Sequence, residues 1–261
     1  MLIVFILAAL AYGAALYGFG TELDQVGKLR KPAQRMLALA GVLHFIYIGS
    51  QCIQGHHPLE SVFSVISLGA FLALVGYFFV SRKRSVDSLG ALLAPVGLLS
   101  LALDAMFGAT VHPRGLDSSL LAKIHIGLAT IGLAGFTLAA GVAGVYLGME
   151  RRLRTKQFKP QNQGMSLTGL DRLQYRIVLL VTPIFTLAIV TGVVWLIKLG
   201  GLDKLGSRWF EILVGLVAWF ASMSLLLLRV GLGMRGRKSA RLTLVAFVCT
   251  VAVIAYYGIR V

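Results

Sequence analysis

Long apolar runs, broken by short polar and basic segments, dominate the chain. A helix needs roughly 20 mostly apolar residues to cross a bilayer. Eight stretches reach that length: about 2–20, 33–54, 59–81, 89–108, 119–149, 170–198, 208–230 and 239–259. The runs are continuous rather than alternating, which excludes a transmembrane β-barrel. The pattern predicts an all-α, polytopic membrane bundle of eight transmembrane helices. The segments between runs are too short for a soluble domain, so residues 1–261 are expected to form a single integral-membrane domain. Runs five and six are longer than about 25 residues and are expected to tilt or project from the bilayer. Pro95 and Pro183 fall inside runs and are expected to kink their helices. No basic segment precedes the first run, so it reads as a retained helix rather than a cleaved signal.

Composition agrees. Hydrophobic residues make up 57% of the chain and charged residues 13%, against about 45–50% and about 25% in soluble domains. An ordinary cytosolic enzyme and a disordered tail are excluded, and two cysteines do not make a disulfide scaffold. The 25 Lys and Arg outnumber the 10 Asp and Glu, a net charge of +15. In a soluble protein that excess points to nucleic acid. In a membrane protein it reports topology. Nineteen of the 25 cations lie in the four segments after runs one, three, five and seven, or in the turns flanking them. The positive-inside rule then puts those segments in the cytoplasm and both termini outside, as in a bacterial-type inner membrane protein. Attraction to anionic lipid is secondary, and no nucleic-acid partner is expected.

That orientation puts every histidine on or toward the outside. His56 and His57 fall in the outer loop between runs two and three, and His112 in the one between runs four and five. His44 lies ten residues before the outer end of run two, and His125 about two turns into run five. At about 1.5 Å per residue these lie roughly 15 Å and roughly 9 Å below the outer surface. A buried imidazole needs a partner, and imidazole is a common axial ligand of haem iron. Small residues flank both positions and would admit a flat macrocycle: Ala40 and Gly41 beside His44, and Ala122, Ala129 and Gly132 beside His125. Interhelical hydrogen bonds and close helix packing explain the same residues without a ligand. Both readings stay open at this point.

Asp104 is the one carboxylate well inside a run. A membrane-buried acid costs roughly 2.5–3.5 kcal/mol on insertion scales. It is expected to face the bundle and to pair with Arg114, Lys123 or a histidine. It would orient a ligating histidine, hold a proton, or simply form a structural ion pair. Glu60 is expected to favour the N-terminus of the helix that follows it.

Other patterns carry no chemistry. Gly231-Leu232-Gly233-Met234-Arg235-Gly236 spells G-x-G-x-x-G but follows a membrane helix instead of a strand, so it reads as a tight basic loop. Cys52 and Cys249 differ in depth and are expected to be buried apolar residues. There is no Cys-x-x-Cys, no Cys-x-x-Cys-His and no recognisable catalytic or nucleotide-binding motif, so no enzyme activity is expected. Gly144 and Gly148 form a GxxxG that marks close helix packing, within the bundle or in a homodimer.

Four stretches, taken in order, resemble the integral-membrane cytochrome c assembly family that includes CcsA, CcmC and HemX. They are His57-Pro58-Leu59-Glu60-Ser61-Val62-Phe63; His125-Ile126-Gly127-Leu128 with Tyr146-Leu147-Gly148-Met149-Glu150-Arg151-Arg152; Leu170-Asp171-Arg172-Leu173-Gln174-Tyr175-Arg176 with Thr191-Gly192-Val193-Val194-Trp195; and Gly233-Met234-Arg235-Gly236-Arg237-Lys238. The resemblance implies a bundle that binds haem through histidines near the outer face. His125 matches the histidine opening the family's long helix, and His44 sits where small members carry one in the second span. His56, His57 and His112 match no assigned position. Members that deliver haem to apocytochromes carry a tryptophan-rich loop of the type W-G-x-x-W-x-W-D. Here the stretch from Leu199 to Trp209, read as an outer loop, holds one tryptophan. The resemblance is therefore to the short, eight-span, HemX-like branch, and direct attachment of haem to cytochromes is not implied.

These readings give one leading expectation. It is a membrane-embedded protein binding haem b through His44 and His125, acting in haem handling, cytochrome c assembly or regulation of haem synthesis. Partners would be the lipid bilayer and proteins of haem synthesis or cytochrome c maturation. The alternative is a small transporter or transporter subunit moving protons or metal ions along Asp104 and the histidines, although no inverted repeat with paired broken helices is visible. A third is a scaffold whose basic loops dock a partner.

Overall fold

The computed structural model describes residues 1–21, 30–82, 86–108, 119–156, 165–207 and 209–260. The described residues form eight helices: α1 (Leu2–Thr21), α2 (Arg30–Ile53), α3 (Val62–Ser81), α4 (Asp87–Phe107), α5 (Leu120–Arg154), α6 (Leu167–Ser207), α7 (Trp209–Leu232) and α8 (Arg237–Arg260). The first seven are long and apolar enough to cross a membrane. The chain is a polytopic helical membrane protein. The apolar stretch of α8 starts behind Arg237, Lys238 and Arg241.

The apolar runs predict the helices closely because a backbone in hydrocarbon must satisfy its own polar groups. Two helices run past their apolar stretches. α5 continues to Arg154, whose side chain pairs with Glu150 one turn earlier (3.1 Å), an arrangement that supports an exposed helix end. α6 continues to Ser207, so residues 199–207 are helical where a loop was expected. Gly200 and Gly201 cost roughly 1 kcal/mol each in helix propensity, but no proline stops the helix. Pro95 and Pro183 lie inside α4 and α6, both assigned as continuous helices.

The helices fall into two compact units, α1–α4 and α5–α8. In the first, α1 packs on α2 and α4, and α3 on α4. Glycines set the close approaches. A Cβ at Gly18 would lie 2.9 Å from that of Ala33. One at Gly97 would lie 2.6 Å from the Tyr12 ring, so Gly97 opens the face of α4 on which Tyr12 lies. In the second unit α5 packs along α6 and α8, and α7 on α8. Gly132 faces Phe185, and Gly135 faces Val181 so tightly that no Cβ fits. Gly148, of the GxxxG pair, has nothing within 4 Å of a built Cβ, whereas Gly132 and Gly135 are packing glycines of α5. Cys52 is exposed in the last turn of α2, contrary to the burial expected for it, and Cys249 is half-buried; both are free thiols.

Candidate functional site

α5 opens at Ser119, whose hydroxyl accepts the Ala122 N–H at 3.3 Å and caps the helix. This start puts His125 in the second turn. Its Nδ1 lies 2.8 Å from the carbonyl oxygen of Ala188 on α6. A carbonyl only accepts, so Nδ1 carries the hydrogen and Nε2 keeps its lone pair. Nε2 has no hydrogen-bond partner among the described residues. The ring stacks on Trp195 at 6.0 Å and 30°, and it lies against Gly192, where a Cβ would come within 2.6 Å of Cε1. Ala188, Gly192 and Trp195 are four and three residues apart, one face of α6. Trp195 Nε1 is a buried donor without a partner. An imidazole held through Nδ1–H to a carbonyl, with Nε2 open, is the arrangement that orients a metal-ligating histidine.

His44 is different. It is fully buried in the α1–α4 unit. Its Nδ1 lies 3.0 Å from the Tyr12 hydroxyl on α1, and its Nε2 lies 2.8 Å from the Ser67 hydroxyl on α3. Both nitrogens are engaged. Ser67 also lies close to the Asp104 carboxyl.

Asp104 is 1% exposed. It accepts from Ser64 Oγ at 2.6 Å and from Gln51 Nε2 at 3.1 Å. Gln51 Nε2 also reaches the Tyr47 hydroxyl at 3.2 Å. Among the described residues its hydrogen-bond partners are therefore the neutral Ser64 and Gln51. Arg114 lies outside the described residues. Neutral donors hold this buried carboxylate as one end of a polar chain that crosses the α1–α4 core.

The remaining candidates separate. His56 and His57 are exposed. The His57 N–H donates to Glu60 Oε2 at 3.3 Å, so Glu60 caps the turn before α3 in place of the helix itself. His112 lies outside the described residues. Of the small residues expected to admit a macrocycle, Ala40 is fully buried and a Cβ at Gly41 would meet Leu74 at 3.1 Å, so protein already packs that face. At Gly132 a Cβ would meet Phe185 at 3.2 Å, while Ala129 is half-buried. Among the described residues, no three or more His, Cys, Asp or Glu gather as a metal-ion site.

A second polar centre went unread in the sequence. Asp171 on α6 and Arg229 on α7 form a bidentate pair at 2.6 and 3.0 Å, each side chain 8% exposed. Asp171 also accepts the Gly236 N–H at 2.9 Å, and the guanidinium lies 4.4 Å from the centre of the Tyr175 ring. Gln174 reaches Ser239 and Thr243 on α8 at 3.3 and 2.7 Å. Gly236 adopts φ 71°, a backbone that favours glycine, and its Cβ position is 2.9 Å from the Tyr146 hydroxyl. The stretches that begin Leu170-Asp171 and Gly233-Met234 therefore meet, and Asp171 ties the loop before α8 to α6. An arginine inside the apolar run Leu225-Leu226-Leu227-Leu228-Arg229-Val230 was the available signal.

With this geometry established, likeness to known proteins becomes informative. The sequence profile described as Cytochrome C assembly protein matches residues 33–261. The chain belongs to that family. It is similar to the cytochrome c biogenesis protein CcsA of Trieres chinensis, 24% identical over 278 residues that cover 92% of this chain and 84% of that protein. It is similar to the inner membrane protein YpjD of Escherichia coli strain K12, 24% identical over 265 residues, 98% of this chain and 96% of that one. Protein HemX of Brevibacillus brevis is 26% identical over 205 residues, 74% of this chain and 71% of that one. No solved structure matches.

Proposed function

We propose that this chain is a haem-binding protein of an inner membrane, handling haem in cytochrome c assembly or in the regulation of haem synthesis, without bond-making chemistry of its own. His125 carries the reading: its Nδ1–H is fixed on the Ala188 carbonyl and its Nε2 is open. Haem b would supply an iron that accepts that lone pair, and Trp195 and Gly192 hold the ring in place. His44 is the proposed second axial ligand. Both of its nitrogens are engaged, so ligation requires the Tyr12 or the Ser67 hydroxyl to turn away. Ala40, Gly41, Ala129 and Gly132 are proposed to line the haem; Ala129 alone is not fully packed by protein, so Leu74 and Phe185 would have to give way at Gly41 and Gly132. Orientation follows the basic segments, with both termini outside.

The test is an absorption spectrum of the detergent-purified protein from haem-replete cells. A Soret band that His125→Ala abolishes, and that His44→Ala shifts from low-spin to high-spin character, is the expected result. A colourless wild type would overturn haem binding. Full haem content in both variants would overturn the ligands.

One observation favours a second reading, a small transporter. Asp104 is a buried acid held by the neutral donors Ser64 and Gln51, and intramembrane acids of this kind mark proton and ion paths. Proton uptake by vesicles that Asp104→Asn abolishes, with the spectrum unchanged, would establish it.

A further inference from the structure

The C-terminal end of α5 and the first turns of α8 form a half-open pocket of about 480 Å³, lined by Leu147, Glu150, Arg151, Arg154, Thr155, Arg237 and Arg241. That volume lies within the roughly 300–1,000 Å³ of small-molecule sites. Four guanidinium groups face one carboxylate. Glu150 holds Arg154 at 3.1 Å and Arg237 at 3.8 Å, which steadies two of the four side chains. Arg151 and Arg241 form no ion pair among the described residues. The lining therefore asks for an anion of more than one charge or several acceptor oxygens. Its arginines are forks that grip phosphate in pairs.

We propose that this pocket binds the phosphodiester headgroup of an anionic phospholipid. Its place favours a lipid over a free anion. The pocket sits where the apolar part of α5 gives way to Glu150, Arg151 and Arg152, so it lies at headgroup level, and Leu147 is its one apolar wall. Basic pockets between membrane helices at that level take such headgroups. Two of the stretches that carry the family resemblance, ending at Arg152 and at Lys238, converge here, which links the pocket to the fold rather than to diffuse surface charge.

The experiment uses the full chain in neutral detergent, with native mass spectrometry of bound lipid and Tm as readouts. Phosphatidylglycerol and phosphatidylcholine are titrated in parallel, then inorganic phosphate and pyrophosphate. Phosphatidylglycerol is expected to bind in about one-to-one stoichiometry and raise Tm, as any ligand of the folded state does. Arg151→Gln with Arg241→Gln is expected to weaken that binding about tenfold or more through loss of charge-assisted bonds. Arg172→Gln with Arg176→Gln removes the same charge outside the pocket and is expected to change nothing. Equal binding of both lipids, or equal loss in both variant pairs, would overturn the proposal. Displacement of the lipid by millimolar phosphate or pyrophosphate would reassign the pocket to a soluble anion and overturn the lipid. Circular dichroism of both pairs separates misfolding from lost binding.

Discussion

Gly192 leaves the space that the His125 imidazole fills: a Cβ there would lie 2.6 Å from Cε1 and 2.9 Å from Nδ1. The ring cannot retreat without breaking its 2.8 Å bond to Ala188. Gly192→Ala is therefore expected to cost about 1–3 kcal/mol, read as a lower Tm, and to reduce the haem content of the purified protein. Gly215→Ala is the matched control, since the nearest atom to its built Cβ is Ile189 Cδ1 at 3.5 Å, an ordinary contact. Equal effects at the two positions would mean that Gly192 does not position the ring.

Tyr12→Phe isolates the His44 question. The ring still fits against Gly97, but the hydroxyl that occupies Nδ1 is gone. The lost bond is expected to cost about 1 kcal/mol in stability. If His44 ligates through Nδ1, the low-spin fraction in the haem spectrum rises. A fall in that fraction would mean that Tyr12 supports the iron environment instead of closing it off. Ser67→Ala leaves the His44 Nε2 without its partner in a dry core and is expected to cost more, about 1–3 kcal/mol.

Much of the fold was legible because each span is a continuous apolar run, and hydrocarbon leaves such a run little choice but a helix. α3 was expected at 59–81 and spans Val62–Ser81. What was missed lies at a helix end and in the polar contacts of the buried side chains. Residues 199–207 look like a loop by their glycines yet continue α6. His125 and His44 were found as buried imidazoles, but their difference was hidden. His125 is held by a backbone carbonyl, which no side chain announces, whereas His44 depends on Tyr12 and Ser67, 32 and 23 residues away. Asp104 was expected to pair with Arg114, Lys123 or a histidine; the donors on it are Ser64 and Gln51, which lie 40 and 53 residues away and which no local pattern announces.

The glycines of α5 make opposite predictions. At Gly135 a Cβ has no room against Val181, while at Gly127 nothing lies within 4 Å. Gly135→Ala is expected to push α5 from α6 and destabilise by about 1–3 kcal/mol. Gly127→Ala removes the backbone freedom of glycine without a clash and is expected to gain up to about 1 kcal/mol. Tm values of the two variants should fall on opposite sides of the wild type. A loss at Gly127 as large as at Gly135 would show that something outside the chain, such as a second copy or a bound ligand, packs there.

Asp171 and Arg229 should behave as one unit. Each is 92% buried as a side chain, and Asp171 also holds the Gly236 N–H. Removing one partner leaves the other charged and dry, which costs about 3–5 kcal/mol. Asp171→Asn and Arg229→Gln are each expected to lower Tm strongly. The double variant leaves no uncompensated charge, so it should be far more stable than the sum of the two losses, and the interaction term of the cycle should exceed about 1.5 kcal/mol. Additive losses would mean that water or lipid headgroups already screen the pair. Gln174→Leu, which keeps α6–α8 contact but drops the bonds to Ser239 and Thr243, should cost only about 1–2 kcal/mol. That ranking, with the ion pair above the amide, tests whether charge holds the loop before α8 to α6.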